Sequence, residues 1–206
     1  MNTARCTCLL LVLVSGSCGT VAREEPWHDL FDGRTLGQFV VTDFGGQGEV
    51  VVQDGRVQLG MGSPLTGVTW SGALPPAAYD LEVTVARQLG SDFFCGLTFP
   101  VGDSHLTLVL GGWGGSVCGL SSFDGLDAAH NDTRTTRQFT TGRDYTVRVT
   151  VTAQRVLATL DGEPLLDTDL TGRRCGLRPE MLLNRPLGLA SYATVASVRT
   201  CRWRPR

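Results

Sequence analysis

The chain has 206 residues, of which 42% are hydrophobic and 18% are charged, and its formal net charge is −2 at pH 7. This length is enough to bury one substantial core, and the slightly negative charge argues against a nucleic-acid-binding surface. Glycine is abundant, with 26 residues and no collagen-like period, which indicates many tight turns between short strands.

The N-terminal residues have the pattern of a secretory signal peptide. Arg5 precedes a short apolar run, and small residues follow it as far as Ala22. The apolar run is shorter than the about 20 residues that span a bilayer, so no transmembrane segment is expected. The sequence therefore predicts a leader at residues 1–22 and one exported domain at residues 23–206.

Two cleavage patterns compete within this leader. Thr20-Val21-Ala22 fits a small-x-small signal peptidase site, whereas Ser15-Gly16-Ser17-Cys18 resembles a bacterial lipobox. In the second case Cys18 would carry lipid and anchor the protein as a lipoprotein. Both patterns predict a periplasmic, cell-surface or extracellular location.

The first predicted strand is Gln38–Thr42, and a hairpin follows it. The β-rich runs Glu49–Gln53 and Arg56–Leu59 flank Asp54-Gly55, and Asp-Gly is a strong hairpin signal because both turn residues need a positive φ. The next stretch, Gly60–Gly67, is expected to be a loop.

Period-two alternation defines the next strand. Tyr79–Val85 alternates apolar with polar residues, as in a strand with one wet face, and its acids Asp80 and Glu82 are expected on the solvent face. Shorter and more apolar runs then predict central strands at Phe93–Phe99, His105–Leu110 and Val117–Leu120.

The polar stretch Ser121–Arg143 is too long for a simple connection, which indicates a functional loop. A second hairpin turns at Asp161-Gly162, and the final strand is expected to pair with an early one so that the termini meet. The remaining predicted strands are Tyr145–Val151, Val156–Leu160, Pro186–Tyr192 and Val195–Trp203. With about ten to thirteen short strands and no amphipathic helix of normal length, the sequence predicts an all-β sandwich of two antiparallel sheets.

Four cysteines lie beyond the leader, at Cys95, Cys118, Cys175 and Cys201. An even number in an exported protein is typical of disulfides. The favoured pairings are Cys95 with Cys118 and Cys175 with Cys201, on segments that could run side by side. The alternative is four free thiols that pack as small hydrophobic groups.

Catalytic signatures are sparse. Gly114–Cys118 lacks the last glycine of a nucleophile elbow, and His28, His105 and His130 have no metal-ligand spacing, so no metal site is predicted. The sequence points to no particular cofactor.

The segment from Asp103 to Asp132 nevertheless gathers acids, imidazoles and the aromatic ring of Trp113. Trp113, set among glycines, is either a surface on which a sugar ring stacks or an anchor in the core. The candidate ligand-binding residues are Trp113, Asp124, Asp127, Asn131 and Asp132. The candidate catalytic bases are His105, Asp103 and His130.

Four segments resemble one family: Trp27–Leu36, which contains Leu-Phe-Asp-Gly-Arg-Thr-Leu, then Tyr79–Val83, Leu160–Pro164 and Pro186–Ala190. The chain is similar to the 3-keto-disaccharide hydrolase domain family, also described as 3-keto-glucoside lyase and hydratase domains. The resemblance implies a concanavalin A-like jelly roll in exported bacterial proteins that act on glycosides oxidised at C3 of the sugar.

The chain also departs from that family. Its members carry an Asn-Ser-Gly-Ile segment that ends in arginine, and then a strand with a glutamate that faces the cleft. The corresponding segments Ser91–Pro100 and Ser104–Leu108 contain neither that arginine nor that glutamate. No functional residue is therefore carried over from the family.

Two functions follow as hypotheses, both with a carbohydrate partner. As an enzyme, the domain would cleave a 3-keto-glycoside by β-elimination, with His105, Asp103 or His130 removing the C2 proton that the ketone acidifies. As a non-catalytic module, it would hold a glycan on Trp113 and on nearby acids.

Overall fold

The structure, a computed structural model, describes residues 25–206. The predicted leader, its cleavage sites, Cys18 and the boundary at residue 23 lie outside these residues. In chain order the strands are β1 (His28–Asp29), β2 (Phe39–Val41), β3 (Val50–Gln53), β4 (Arg56–Leu59), β5 (Leu65–Trp70), β6 (Tyr79–Gly90), β7 (Cys95–Val101), β8 (Ser104–Gly112), β9 (Val117–Ser121), β10 (Thr135–Thr136), β11 (Tyr145–Val151), β12 (Arg155–Leu160), β13 (Glu163–Asp169), β14 (Gly188–Tyr192) and β15 (Thr194–Pro205). A short 3-10 helix, Pro179–Asn184, precedes β14. Within the described part of the chain, no helix has the length and apolar character needed to cross a membrane.

The strands form two antiparallel sheets. The eight-stranded sheet has the order β13-β12-β11-β6-β15-β4-β3, and β1 also pairs with β15. The seven-stranded sheet has the order β10-β9-β8-β7-β14-β5-β2. The fold is a two-sheet jelly-roll sandwich, which confirms the all-β prediction.

The core lies between the two sheets and is built by alternate residues of each. On β6, Leu81, Val83 and Val85 are fully buried, because the alternation predicted from the sequence directs them inward. The seven-stranded sheet contributes Leu97, Phe99, Leu106, Leu108, Leu110 and Leu120. The hydroxyl of Tyr79 donates a hydrogen bond to the carbonyl of Pro100 (2.6 Å) and so links the two sheets.

Both predicted Asp-Gly hairpins are confirmed. Asp54 and Gly55 have φ values of 52° and 72° between β3 and β4, and Asp161 and Gly162 have values of 52° and 85° between β12 and β13. A two-residue hairpin turn of type I′ requires a positive φ at both of its central residues. The final strand also pairs as expected, since β15 lies against β1, β4 and β6.

The predicted loop at Gly60–Gly67 is partly wrong, because β5 begins inside it at Leu65. This strand lies between β2 and β14 and is covered on both faces, so its sequence lacks the alternation that marks a half-exposed strand. Gly67 lies within this strand, where a side chain would collide with the carbonyl of Leu189 on β14, so the close pairing of the two strands requires glycine.

Asp80 and Glu82 lie on the outer face of the eight-stranded sheet, but they are not solvent-exposed as expected. Their exposures are only 2% and 5%. Both carboxylate oxygens of Glu82 are covered by arginines from the neighbouring strands, with Arg148 on one oxygen and Arg202 on the other. The sequence predicted the face correctly, but it did not reveal that the arginines fold over it.

The predicted disulfides are wrong in the described structure, where all four cysteines are free. Cys95 and Cys118 both pair with Leu110, from opposite sides of β8. A whole strand therefore separates them, or about 9–10 Å, which exceeds the Cα spacing of a disulfide. Cys201 lies on β15 of the eight-stranded sheet, whereas Cys175 lies in a loop, where its backbone forms an isolated β-bridge with Phe123.

Candidate ligand-binding cleft

A cleft of about 460 Å³ lies on the outer face of the seven-stranded sheet. The side-chain alternation of β8 defines this face. Leu106 and Leu108 point into the core, whereas Thr107 and Val109 line the cleft. A volume of this size is within the range of small-molecule sites.

A row of hydroxyl groups on three neighbouring strands lies on this face of the sheet, and two of its members, Thr107 and Ser121, line the floor of the cleft. Thr98 on β7 pairs with Thr107 on β8, which in turn pairs with Ser121 on β9. The two threonine hydroxyls hydrogen-bond each other at 2.9 Å. Ser121 is only 3% exposed, and within residues 25–206 its Oγ has no hydrogen-bond partner.

One wall is formed by the loop that follows β9, through Asp127. One carboxylate oxygen of Asp127 accepts a hydrogen bond from the backbone N–H of Ala129 and lies 2.7 Å from Nδ1 of His130. The other oxygen is 3.6 Å from the guanidinium of Arg178. Asp127 therefore connects an exposed imidazole, outside the lining, to a cation within it.

Asn131 holds this loop in shape. Its Nδ2 donates to the carbonyls of Leu120 (2.7 Å), Leu126 (3.2 Å) and Asp127 (2.8 Å). Its Oδ1 accepts from the backbone and the hydroxyl of Thr133. Because the side chain is committed to these bonds, Asn131 fixes Asp127 beside β9 and is not itself part of the cleft lining.

The opposite wall comes from the segment around the 3-10 helix. Glu180 and Met181 of the helix line the cleft, as does Arg178 just before it. Nε of Arg178 donates to Glu180 Oε1 (2.5 Å), so one guanidinium interacts with a carboxylate on each wall. The hydrogen bond with Glu180 raises the pKa of Arg178 above its ordinary value.

Aromatic rings form the rim. Trp113 is 41% exposed and Tyr192 is 38% exposed, and both line the cleft. The rings of Tyr192 and Phe93 lie 5.6 Å apart, and the backbone N–H of Tyr192 donates to the carbonyl of Phe93. Trp113 is therefore an exposed residue at the rim of the cleft and not an anchor in the core.

Trp113 also has a left-handed backbone, with a φ of 49°. A bulky residue at such an angle is uncommon and costs on the order of 1 kcal/mol, whereas glycine would adopt it freely. A tryptophan in that position is consistent with a function for its side chain.

The rim is supported from behind by Arg87, which is 6% exposed. Its Nη2 donates to the carbonyls of Asp92 (3.1 Å), Gly111 (3.1 Å) and Gly115 (3.0 Å). Any Cβ at Gly111 would collide with this guanidinium, so the close approach requires glycine. Arg87 thus joins the segment of Asp92, which lines the cleft, to the turn that carries Trp113.

The structure brings some of the sequence-predicted site residues to the cleft and leaves the others outside it. Trp113 and Asp127 line the cleft, and His130 contacts it through Asp127. Asp103 is exposed in the hairpin between β7 and β8. His105 is half-buried on β8 opposite Pro100, outside the lining, and burial and then the charge of Arg185 lower its pKa.

Asp124 and Asp132 form a separate cluster with Arg173. The guanidinium of Arg173 contacts Asp124 (2.5 Å) and Asp132 (2.9 Å) and lies over the ring of Phe123. The backbone N–H of Arg174 and the side chain of Arg173 lower the pKa of Asp124. The hydrogen bond from Arg173 lowers the pKa of Asp132. These two acids connect the loop after β9 to Arg173 through ion pairs, and they are not part of the cleft lining.

Sequence reasoning missed several cleft residues because they come from distant parts of the chain. They are Asp92, Ser121, Arg178, Glu180 and Tyr192. Nothing in their local patterns marks them, since they meet only when β14 inserts between β5 and β7. Within the described residues, no group of three or more His, Cys, Asp or Glu side chains is arranged to hold a metal ion.

Solved structures with a similar fold include several carbohydrate proteins. The Crh5 transglycosylase, in a complex with NAG, has a TM-score of 0.60 and 13% identity over 88% of this chain and 86% of its own. The carbohydrate recognition domain of Emp46p has a TM-score of 0.55 and 14% identity over 82% and 88% of the two chains. The carbohydrate binding module CBM66 from Bacillus subtilis has a TM-score of 0.51 and 11% identity over 81% and 95%.

At these identities the similarity shows the fold, a concanavalin A-like jelly roll, as predicted. No protein-family model matches the chain, and no curated protein matches its sequence. The resemblance to the 3-keto-disaccharide hydrolase family therefore stays a prediction.

Proposed function

We propose that this domain binds a glycoside in the cleft on the seven-stranded sheet. The observation that carries the proposal is the meeting, in one cleft, of an exposed aromatic rim at Trp113 and Tyr192 with a polar interior. A sugar ring has an apolar face that stacks on an aromatic ring and an edge of hydroxyls that hydrogen-bond to acids and alcohols. The similar solved carbohydrate proteins support the same class of ligand.

The charged residues of the lining suit hydroxyl recognition. Asp92, Asp127 and Glu180 supply carboxylate acceptors, and Arg178 supplies donors. Because Arg178 already interacts with Asp127 and Glu180, these charged groups are held in fixed positions before a ligand arrives. Such pre-organisation lowers the entropy that binding costs.

A binding experiment tests the proposal. Methyl α- and β-D-glucopyranoside and trehalose would be titrated into the protein by NMR or calorimetry, together with the Trp113→Ala variant. We expect the variant to lose about 10-fold or more in affinity, because stacking residues carry much of the binding energy. Leu89→Ala is the matched control, since Leu89 is a 61% exposed apolar residue outside the cleft lining.

The proposal has two contrary outcomes. Equal affinities for wild type and Trp113→Ala would move the binding site away from this cleft. The absence of binding to the whole panel would reject glucosides as the ligand class.

A second candidate function is cleavage of a 3-keto-glycoside, which the contact between His130 and Asp127 favours. A carboxylate that accepts a hydrogen bond from Nδ1 orients the imidazole as a base. The base would take the C2 proton, the C2–H electrons would form the C1–C2 double bond, and the glycosidic C1–O bond would break. The departing oxygen would then take up a proton. The family resemblance supports the same reaction.

Turnover of 3-keto-trehalose, with trehalose as the comparison, tests the second candidate. We expect His130→Gln to lower the rate about 10²-fold or more, as is usual for loss of a general base. His28→Gln is the control, because His28 is exposed and stacks on Trp203 away from the cleft. Binding without turnover of either sugar would leave a non-catalytic glycan-binding module.

We also propose that the protein acts outside the cytoplasm, on the evidence of its leader sequence. Mass spectrometry of the N-terminus after expression with the leader distinguishes the two cleavage patterns. A start at residue 23 would support signal peptidase cleavage after Ala22, and a lipid-modified Cys18 would support the lipobox. An intact leader on cytoplasmic protein would contradict export.

A further inference from the structure

The strongest unexplained feature of the cleft is the hydroxyl of Ser121. The hydroxyls of Thr98 and Thr107 hydrogen-bond each other. Ser121 is only 3% exposed, but its Oγ has no hydrogen-bond partner within the described chain. A serine hydroxyl offers one donor and two acceptor positions, and buried polar groups are almost always paired. An unpaired hydroxyl on the floor of a cleft is therefore free to bind a ligand.

The fold holds the end of the strand that carries this hydroxyl next to the loop that carries Asp127. Asn131 Nδ2 bonds the carbonyl of Leu120, the residue before Ser121, and also the carbonyl of Asp127. The two backbones are thus held by one amide group. Ser121 and Asp127 both line the cleft, one from the floor and one from the wall.

We propose that Ser121 Oγ and the Asp127 carboxylate form a polar subsite that binds neighbouring hydroxyls of a sugar ring, and that this subsite determines which sugar the cleft accepts. The inference rests on the proposed function, since it concerns the same cleft. Asp127, which has only acceptor oxygens when ionised, selects a hydroxyl that donates. Ser121 can then donate to, or accept from, the adjacent hydroxyl.

The subsite explains specificity as well as affinity. A buried polar group left unpaired by an analogue without a hydroxyl is a strong basis for rejecting that analogue. We therefore expect Ser121 to read one ring position and Asp127 the adjacent one, so that removal of either oxygen weakens binding while removal of the others does not.

The test combines protein and ligand deletions. Methyl α-D-glucopyranoside and its 2-, 3-, 4- and 6-deoxy analogues would be titrated into wild type and Ser121→Ala. For wild type, we expect two analogues, which lack hydroxyls at adjacent ring positions, to bind about 5- to 10-fold more weakly, the loss expected for one hydrogen bond. Ser121→Ala should bind the parent sugar more weakly by a similar factor. It should no longer distinguish the parent from one of these two analogues, and it should still distinguish the parent from the other, which Asp127 reads.

Ser191→Ala is the matched control. Ser191 is also fully buried with an unpaired Oγ, but it lies between Ala190 and the cleft-lining Tyr192 on β14. Successive side chains of a strand point to opposite faces, so Ser191 faces away from the cleft. Its removal should leave all affinities unchanged, and the thermal midpoints of both variants confirm that each is folded.

The outcomes separate the subsite from the proposed function. If wild type binds the parent sugar and Ser121→Ala binds it equally well, the subsite is overturned and glycoside binding stands. If Ser121→Ala weakens all analogues by the same factor, without coupling to one position, the subsite is also overturned. If wild type binds no sugar of the panel, glycoside binding and the subsite are rejected together.

Discussion

The guanidinium of Arg87 donates a hydrogen bond to the carbonyl of Gly111 at 3.1 Å, and Gly111 is two residues before Trp113. The same nitrogen reaches the carbonyls of Asp92 and Gly115. A buried cation from β6 therefore sets the position of a ring that contacts solvent on the other sheet. These hydrogen bonds hold the rim of the cleft in place, although the rim is built from a glycine-rich turn.

Arg87→Met should loosen the rim while it keeps most of the buried volume. We expect a loss of about 2–4 kcal/mol in the free energy of unfolding, because several buried carbonyls lose their donor. Sugar affinity should fall as well, and the fall should largely disappear in a Trp113→Ala background, since Arg87 acts through that ring. Urea denaturation and sugar titration of the two single variants and the double variant measure both effects.

Arg56→Met is the control for this cycle, because Arg56 makes a half-buried ion pair with Asp144 elsewhere in the molecule. It should lower stability and leave sugar affinity unchanged. Strictly additive effects of Arg87→Met and Trp113→Ala on affinity would contradict the positioning role.

Two tryptophans should respond very differently to truncation. Trp113→Ala should change the free energy of unfolding by less than about 1 kcal/mol, because the ring is 41% exposed. Trp70→Ala should cost about 3–5 kcal/mol, because that ring is 6% exposed and packs edge-on against Phe39. Denaturant unfolding of both variants tests this contrast, and a large loss for Trp113→Ala would instead indicate a structural role.

The stability that Glu82 contributes should depend on pH. Burial raises the pKa of Glu82, but the hydrogen bonds from Arg148 and Arg202 outweigh burial and the pKa is lowered overall. A lowered pKa in the folded state means that the carboxylate stabilises the fold above its unfolded pKa. This contribution is lost as the pH falls through the folded value.

Glu82→Gln should therefore cost about 1–3 kcal/mol at pH 7, toward the lower end because both arginines remain partly solvated. The difference from wild type should shrink as the pH falls below the ordinary glutamate pKa of about 4.3 and through the lowered pKa of the folded state. Urea denaturation at a series of pH values measures it. A difference that stays constant between pH 7 and pH 3 would show that the charge of Glu82 is not responsible.

The cysteines of residues 23–206 should remain reduced and mostly unreactive. Burial raises the pKa of Cys118 to about 11 and that of Cys201 to about 12, so neither forms the reactive thiolate near neutral pH. In native protein without the leader, a thiol reagent should label only the half-buried Cys175, and it should label all four after unfolding. An intact mass two or four units below the reduced value would instead reveal disulfides.

The sequence predicted the fold well where local chemistry decides it. Asp54-Gly55 and Asp161-Gly162 need no partner to favour a turn, and the alternation of Tyr79–Val85 needs only a core on one side. The same rules failed for β5, because burial of both faces removes the alternation. They failed for the cysteines, because strand order, and not sequence spacing, decides which side chains are neighbours.

The cleft was predictable only in part, for a related reason. Trp113 and Asp127 belong to the turn and loop that follow β8 and β9, and their unusual local composition marked them. Arg87 and Glu180 lie in segments of ordinary composition. Their importance arises from contacts with residues far away in the sequence, and a single sequence holds no sign of these contacts.

The positions of β14 and β15 have a consequence for how the protein acquires its structure. These strands come late in the sequence, but β14 inserts between β5 and β7, and β15 inserts between β4 and β6. A chain emerging from the ribosome cannot complete the seven-stranded sheet until β14 has been made, or the eight-stranded sheet until β15 has been made, and the waiting strands keep unpaired edges. Folding dominated by such distant pairings is slow, so we expect the newly made polypeptide to need protection by a chaperone and to stay unfolded for a time that suits the proposed export.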